Sequence, residues 1–348
     1  MVKRLFKNGY FLIGFLFIFI LSSISLLHTF VWDNHIAQTQ ILYEDGRAVE
    51  GSPISPKLEI PLGTNVLGFH MTHMITVGAK YTIGFAVLIA FIRLLTSMVF
   101  GVLYGAYFFR FRKYVTWIGD VFNYIPVTML ALFILTPFLV ELPTGFDYTF
   151  WERVWIEVII LAMIAVPPTS ILIGNEMGRI YNHEFIDGAR VIGGSRLHIL
   201  WKHVRPHIQP QLWIIFMQQL VQTMLVLAHL GFFKVFFGGT NKSFDPLFAD
   251  PPQSISYEWS GLIGDGMRHL TVSPWVVLVP IIFFALTILA MNFMLEGIKT
   301  VTENWRVDHR PEKSVTKSIK QVSEEKQFIP LNKQGTVQRR ELRLEHKE

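Results

Sequence analysis

Four histidines, His183, His198, His203 and His207, crowd one 32-residue polar segment at 179–210. His203 and His207 stand four apart, the spacing that puts two imidazoles on one helical face toward a metal. Pro206 falls between them and breaks the helix that would align them. They read as interfacial or docking groups, and His70 with His73 makes a weaker pair still. The chain has no cysteine, which removes thiolate metal sites, iron–sulfur clusters, disulfides and thiol catalysis. Gly238-Gly-Thr-Asn-Lys-Ser243 only superficially echoes a phosphate loop, and no G-x-x-x-x-G-K-[ST] pattern occurs. These residues give no catalytic centre, metal site or cofactor site.

A second set of polar residues sits inside long apolar stretches, where such groups are costly and often functional. Arg93 could face a solute pathway and bind a carboxylate, or pair with a neighbouring helix. Gln218, Gln219, Gln222 and Thr223 stripe another stretch, suiting either helix–helix hydrogen bonding or pathway lining. Arg93, Gln218 and Gln222 are the pathway candidates. Asp120 reads as structural, Glu157 as an outer-end group that snorkels, and Glu296 as half of a solvated pair with Lys299.

The elements that position these groups follow from composition. Of 348 residues, 51% are hydrophobic and only 16% charged, and the mean hydropathy is +0.40. A soluble domain is about a quarter charged, so a soluble enzyme is excluded. The net charge of +5 is no sign of nucleic-acid binding. A bilayer crossing needs about 20 mainly apolar residues, and six stretches qualify: 9–31, 78–108, 118–140, 154–178, 211–233 and 274–298. With the N-terminus in the cytoplasm, the inner segments carry 23 of the 31 Lys and Arg in 99 residues, and the outer ones 6 in 100. The basic excess places both termini inside. The first stretch exceeds a signal peptide's apolar run and lacks an A-x-A-like site, so it reads as an uncleaved anchor. The expected fold is an all-α polytopic membrane protein with six transmembrane helices.

Between the spans, 32–77 and 234–274 are large enough for a small extracytoplasmic cap or docking surface. The tail at 299–348 is basic and reads as solvated and partly disordered. The inner segment 179–210 is longer than a mere connection needs. Phe185, Ala189 and Ile192 fall on one helical face, and Gly193-Gly194 break that helix. Ser195 is placed to cap a second short helix. There Leu197, Leu200, Trp201 and Val204 form an amphipathic stripe, stopped by Pro206. Two short helices at a glycine corner suit insertion into a partner's groove; equally, they could lie on the membrane surface.

This segment resembles the EAA loop, E-A-A-x3-G-x9-I-x-L-P, of ABC-importer permeases. Asp187-Gly188-Ala189 stands at the E-A-A positions, Gly193 at the glycine, His203 at the isoleucine and Pro206 at the final proline. The departures are Asp187 for Glu, Gly188 for Ala and Arg205 for Leu. Pro61-Leu-Gly-Thr-Asn-Val-Leu-Gly68 is similar to the P-L-G-T-D-x-x-G box of oligopeptide-type permeases, and Gly78-Ala79-Lys80 to the G-A-R after it. Asp120 with Pro126, Glu258-Trp259-Ser260-Gly261, and Trp275, Pro280, Asn292 and Gly297 continue the likeness in order over about 60–300. It points to the dipeptide, oligopeptide and nickel family, second-permease or "C" type.

The resemblance implies a type I importer permease in a bacterial-type cytoplasmic membrane, with no covalent chemistry of its own. Its implied organisation is an anchor at 1–31, an extracytoplasmic segment at 32–77, a five-helix permease core at 78–298 and a cytoplasmic tail at 299–348. Implied partners are a second homologous permease, two cytoplasmic ABC ATPases, an extracytoplasmic solute-binding protein and membrane lipid. Asp187, Gly188, Ala189, Gly193, Leu197, Leu200, Trp201, His203 and Pro206 would form the ATPase-coupling knob. The solute would be a peptide or similar small molecule. The alternative from Arg93, Asp120 and Glu157 is an ion- or proton-coupled secondary transporter, a class that commonly shows internal repeats; none is visible here.

Overall fold

The computed structural model describes residues 2–44, 46–107, 124–242 and 253–308 except Ile255, with isolated positions between 108 and 123. Asp120, Ser243, Asp250-Pro-Pro252 and the tail beyond 308 lie outside the described residues. The chain divides into Met1–Thr302 and Glu303–Glu348; of the second unit, the structure describes the helical residues 303–308.

Helices dominate because long apolar runs must satisfy their own backbone in lipid. In order they are α1 (Gly9–Trp32), α2 (Met71–Tyr107), α3 (Val127–Leu139), α4 (Phe150–Ile164), α5 (Val166–Tyr181), α6 (Glu184–Val191), α7 (Arg196–Ile199), α8 (Arg205–Phe232), α9 (Trp259–Gly266) and α10 (Trp275–Asp308). The first starts at an Asn8 cap whose side chain accepts the Phe11 N–H at 3.1 Å. Four helices are long and apolar enough to cross a bilayer: α1, α2, the run Arg196–Phe232 and α10. The fourth expected span is not straight. It is α4 and α5, bent by 44°, because Pro167-Pro168 have no N–H to continue the ladder from α4. Counted as one bent crossing, this pair makes five. Of the expected span 118–140, the 13-residue α3 is a shorter apolar helix, about 20 Å long.

The core surrounds α2. Its Ala86, Ile89 and Ala90 join one buried cluster with Leu135 of α3, Leu161 of α4, Met224 of α8 and Met291 of α10. Small residues permit close approach: a side chain on Gly101 would run into Ile173 of α5, and one on Gly174 into Tyr104 of α2. Outward, α1 leaves Ile13, Phe19, Ile20 and Leu27 exposed, the face a lipid-bathed anchor needs.

The segments between the long helices carry the strands. Ile41–Glu44 (β1) pairs antiparallel with Arg47–Gly51 (β2), and Leu42, Ile54 and Ile60 form a small separate core. Thr240–Asn241 (β3) pairs with Gln253–Ser254 (β4). Within 234–274, α9 packs into the core of the molecule. Trp259 is wholly buried and its indole donates to the Ile75 carbonyl at 2.9 Å. Side chains on Gly231 or Gly264 would collide with the facing backbone of α9 or α8. Glu258 caps α9, accepting from Ser260 N at 2.7 Å and Ser260 Oγ at 2.8 Å; burial pushes its carboxyl up. Glu157 does not snorkel either. It is buried, and its Oε2 accepts the Gly238 N–H at 3.0 Å, tying α4 to the segment before β3.

Candidate functional site

The segment 184–206 is built on a glycine corner. Helix α6 ends where Gly193 takes φ +90°, and the Gly194 N–H closes onto the Ala189 carbonyl at 3.0 Å. Only glycine adopts such an angle without strain. Ser195 then caps α7, its Oγ accepting the His198 N–H at 3.3 Å. The stop expected at Pro206 is not there. Leu200–Val204 forms a π-turn, the Arg205 N–H bonds to the Leu200 carbonyl, and α8 continues directly. The wider turn takes up the register around a residue that cannot donate, with Pro206 in the first turn of α8.

The π-turn also redistributes the amphipathic stripe. One added residue turns the inward spacing from Ile199 to Val204 into five. Ile199, Val204 and Ile208 join Ile186 of α6 and Ile173 and Met177 of α5 in a second buried cluster, with Leu200 packed on it. Leu197 and Trp201 stay outside, 59% and 62% exposed. The expected face of Phe185, Ala189 and Ile192 is likewise corrected: Ile186 is the residue α6 buries, whereas Val191 and Ile192 are 87% and 89% exposed. Nothing in the sequence pattern singled out Val191 and Ile192 as the tip. Their place beside the glycine break was the available signal.

The electrostatics of the knob are those of a surface. Asp187 pairs with Arg190 at 2.8 Å, both exposed; such a pair contributes about 0–1 kcal/mol and is easily exchanged for another partner. Gly188 has open space around it. Arg205, at a position expected to be apolar, lies over the Trp201 ring at 5.0 Å. Phe185 stacks with His183 at 5.7 Å and meets His207 at 5.0 Å, and His198 and His203 are 6.1 Å apart. Among the described residues no three metal-ligating side chains gather. The arrangement can transmit force: a capped, cornered helix pair rooted in α5 and α8, with apolar residues facing out.

The three pathway candidates separate. Arg93 is buried, donating from one terminal nitrogen to Gln219 Oε1 at 3.0 Å and from the other to the Leu161 carbonyl at 2.7 Å. Its role in the fold is to bridge helices through neutral partners. Gln218 is exposed on α8. Gln222 lines a cavity of about 600 Å³ together with Gln219, Thr169 and Asn175. Glu296 and Lys299 do form an exposed pair, at 3.6 Å.

Comparison with known proteins gives a family and relatives. The model of the family "Binding-protein-dependent transport system inner membrane component" matches residues 97–301, more than half of the chain. The chain is 26% identical over 240 residues to the peptide transport system permease protein SapC of Escherichia coli O6:H1, covering 68% of this chain and 71% of that one. It is 26% identical over 237 residues to the oligopeptide transport system permease protein OppC of Haemophilus influenzae, covering 68% of each. It is 24% identical over 244 residues to the glutathione transport system permease protein GsiD of Salmonella typhimurium, covering 70% and 72%.

Proposed function

This chain belongs to the binding-protein-dependent transport inner membrane components, and on that premise we propose that 184–206 is the element through which partner ATPases drive it. The chain is a transmembrane permease subunit of an ATP-binding-cassette importer, a multi-pass protein of the cytoplasmic membrane and not itself an enzyme. The secondary-transporter alternative is set aside by that membership. A partner permease, an ATPase and a binding protein go with the family in general. In the finer reading, one homologous permease and two ATPases complete the membrane complex. Six spans place both termini in the cytoplasm, with the anchor at 1–31, the core at 78–298 and the tail at 299–348. The solute is a peptide or a similar small molecule such as glutathione, the classes named for the similar permeases.

One observation carries the coupling assignment. The knob is rigidly built yet leaves Val191, Ile192, Leu197 and Trp201 exposed at its tip and flank, which suits insertion into an ATPase groove. Asp187 offers a carboxylate to a basic partner, Gly188 and Ala189 let the partner approach, and Gly193 makes the corner. Leu197, Trp201 and His203 supply the outward face, Leu200 backs it from the buried cluster, and Pro206 leads into α8. Closure of the ATPases then shifts the permease between states through contacts that differ in the two. Membrane-surface helices remain the competing use of the same face.

The test is co-purification with the ATPases, then uptake with intact and hydrolysis-dead ATPase. Asp187→Arg should insert normally but lose ATPase association and uptake by roughly tenfold or more, as expected for an introduced like-charge clash. Normal assembly and uptake in that variant would refute the coupling role.

A further inference from the structure

The cavity of about 600 Å³ between α3, α5 and α8 has, among the described residues, four polar lining residues: Thr169, Asn175, Gln219 and Gln222. No charged side chain lines it among the described residues. The Thr169 hydroxyl is already donating to the Ala165 carbonyl at 2.7 Å. Asn175 Oδ1 is buried without a partner, a condition that costs about 1–3 kcal/mol unless something donates to it. Gln219 is oriented by its neighbour: arginine has only donors, so the atom facing Arg93 is the carbonyl Oε1. What Gln219 has left for the cavity is its Nε2 donor pair. The cavity lining therefore combines the oriented donor pair of Gln219 with the amide of Gln222, while Asn175 Oδ1 lies closed off behind the surface without a partner.

Polar residues recur along the same side of α8, with the exposed Leu225 between them. Gln211, Gln218, Gln222 and His229 recur at intervals of seven, four and seven, in line on a 3.6-residue helix, and all are exposed or half-buried. A polar row of that length on a spanning helix cannot face hydrocarbon, so water or another protein subunit lies beside it.

The geometry points to a passage-lining site for neutral amide groups, of the kind a peptide backbone offers, in which Arg93 is a positioning residue for Gln219 and does not touch the solute. A group that both donates and accepts can meet the Gln219 Nε2 donors and the Gln222 amide, which line the same cavity. A solute carboxylate would meet no cationic side chain in the cavity lining among the described residues; Arg93 lies behind it, its two terminal nitrogens held by Gln219 and Leu161. This deepens the permease reading and rests on it.

The test uses the complete importer in lipid vesicles, with ATP-dependent uptake of tri-alanine and of Ala-Lys-Ala as probes. Gln219→Glu keeps a partner for Arg93 but removes the donor pair and places a carboxylate at the cavity. ATPase recruitment and thermal stability should be kept while tri-alanine uptake falls about tenfold, the worth of one hydrogen bond in a desolvated site. Preference should shift toward Ala-Lys-Ala. If Gln219 only supports Arg93, that variant will carry both peptides at the wild-type ratio and rate, which overturns the inference. Gln222→Leu, which leaves Arg93 untouched, should slow both peptides; wild-type rates there also overturn it. A wild-type chain that recruits no ATPase would instead overturn the permease reading beneath, and this inference with it.

Discussion

Two short helical segments interrupt the long membrane helices, and they are built to opposite ends. In α9, Trp259, Ser260, Gly261, Leu262, Ile263, Gly264 and Gly266 are all buried. Its cap is a buried glutamate, and its neighbours α2 and α8 approach to backbone contact. In 184–206 the inward residues Ile186, Ile199 and Val204 are just as buried, but a second apolar set faces out. The first segment is complete within this chain. The second is rooted in the chain and leaves an apolar face exposed, the face proposed above to meet the ATPases. Burial thus separates an element that holds the fold from one whose apolar face stays exposed.

The largest effect that could break this contrast belongs to α9. Trp259→Ala should cost about 3–5 kcal/mol, a cavity plus a lost hydrogen bond, read as a sharply lower Tm and yield in detergent. A small loss would mean that α9 is not part of the packed core. Next, Leu197→Ala combined with Trp201→Ala should weaken ATPase association by roughly 30-fold or more, as for an interface hot spot of about 2 kcal/mol. Both side chains are mainly exposed, so Tm should barely move. A fall in Tm with association intact would reverse the assignment of the two segments.

A smaller effect sharpens the same contrast through pH. Burial pushes the Asp265 carboxyl of α9 from 3.8 up to about 7. Between those values the folded chain holds a proton that the unfolded chain has released, so this group makes stability fall as pH rises across that window. Asp265→Asn should flatten the fall and raise Tm at pH 8 by about 4 °C, with little gain at pH 4. Parallel Tm profiles for the two proteins would contradict the buried setting of α9.

The long helices and the corner of the knob were legible because their determinants are local. Apolar runs of sufficient length gave α1, α2, α8 and α10, and Gly193-Gly194-Ser195 encodes both a left-handed stop and the next cap. The 44° bend was also written locally, in Pro167-Pro168, but an apolar run reads through it. The π-turn at Leu200–Val204 was hidden because a 3.6-residue period assumes no inserted residue, and that residue sets the buried Val204 five positions after the buried Ile199. Burial of α9 was hidden for a different reason. Gly261, Gly264 and Gly266 disfavour a helix by type, whereas the smallness of Gly264 and of Gly231 opposite is what lets α8 and α9 approach. The partner of Arg93 could not be read at all, since Gln219 lies 126 positions away.

Hydrogen exchange measured on the permease alone and with its ATPases bound tests the central contrast most directly. Amides of 185–204 should gain protection on ATPase binding, while those of 259–266 should be protected equally in both states. A complex that forms with no change at 185–204 would contradict the claim that this segment is where the ATPases engage.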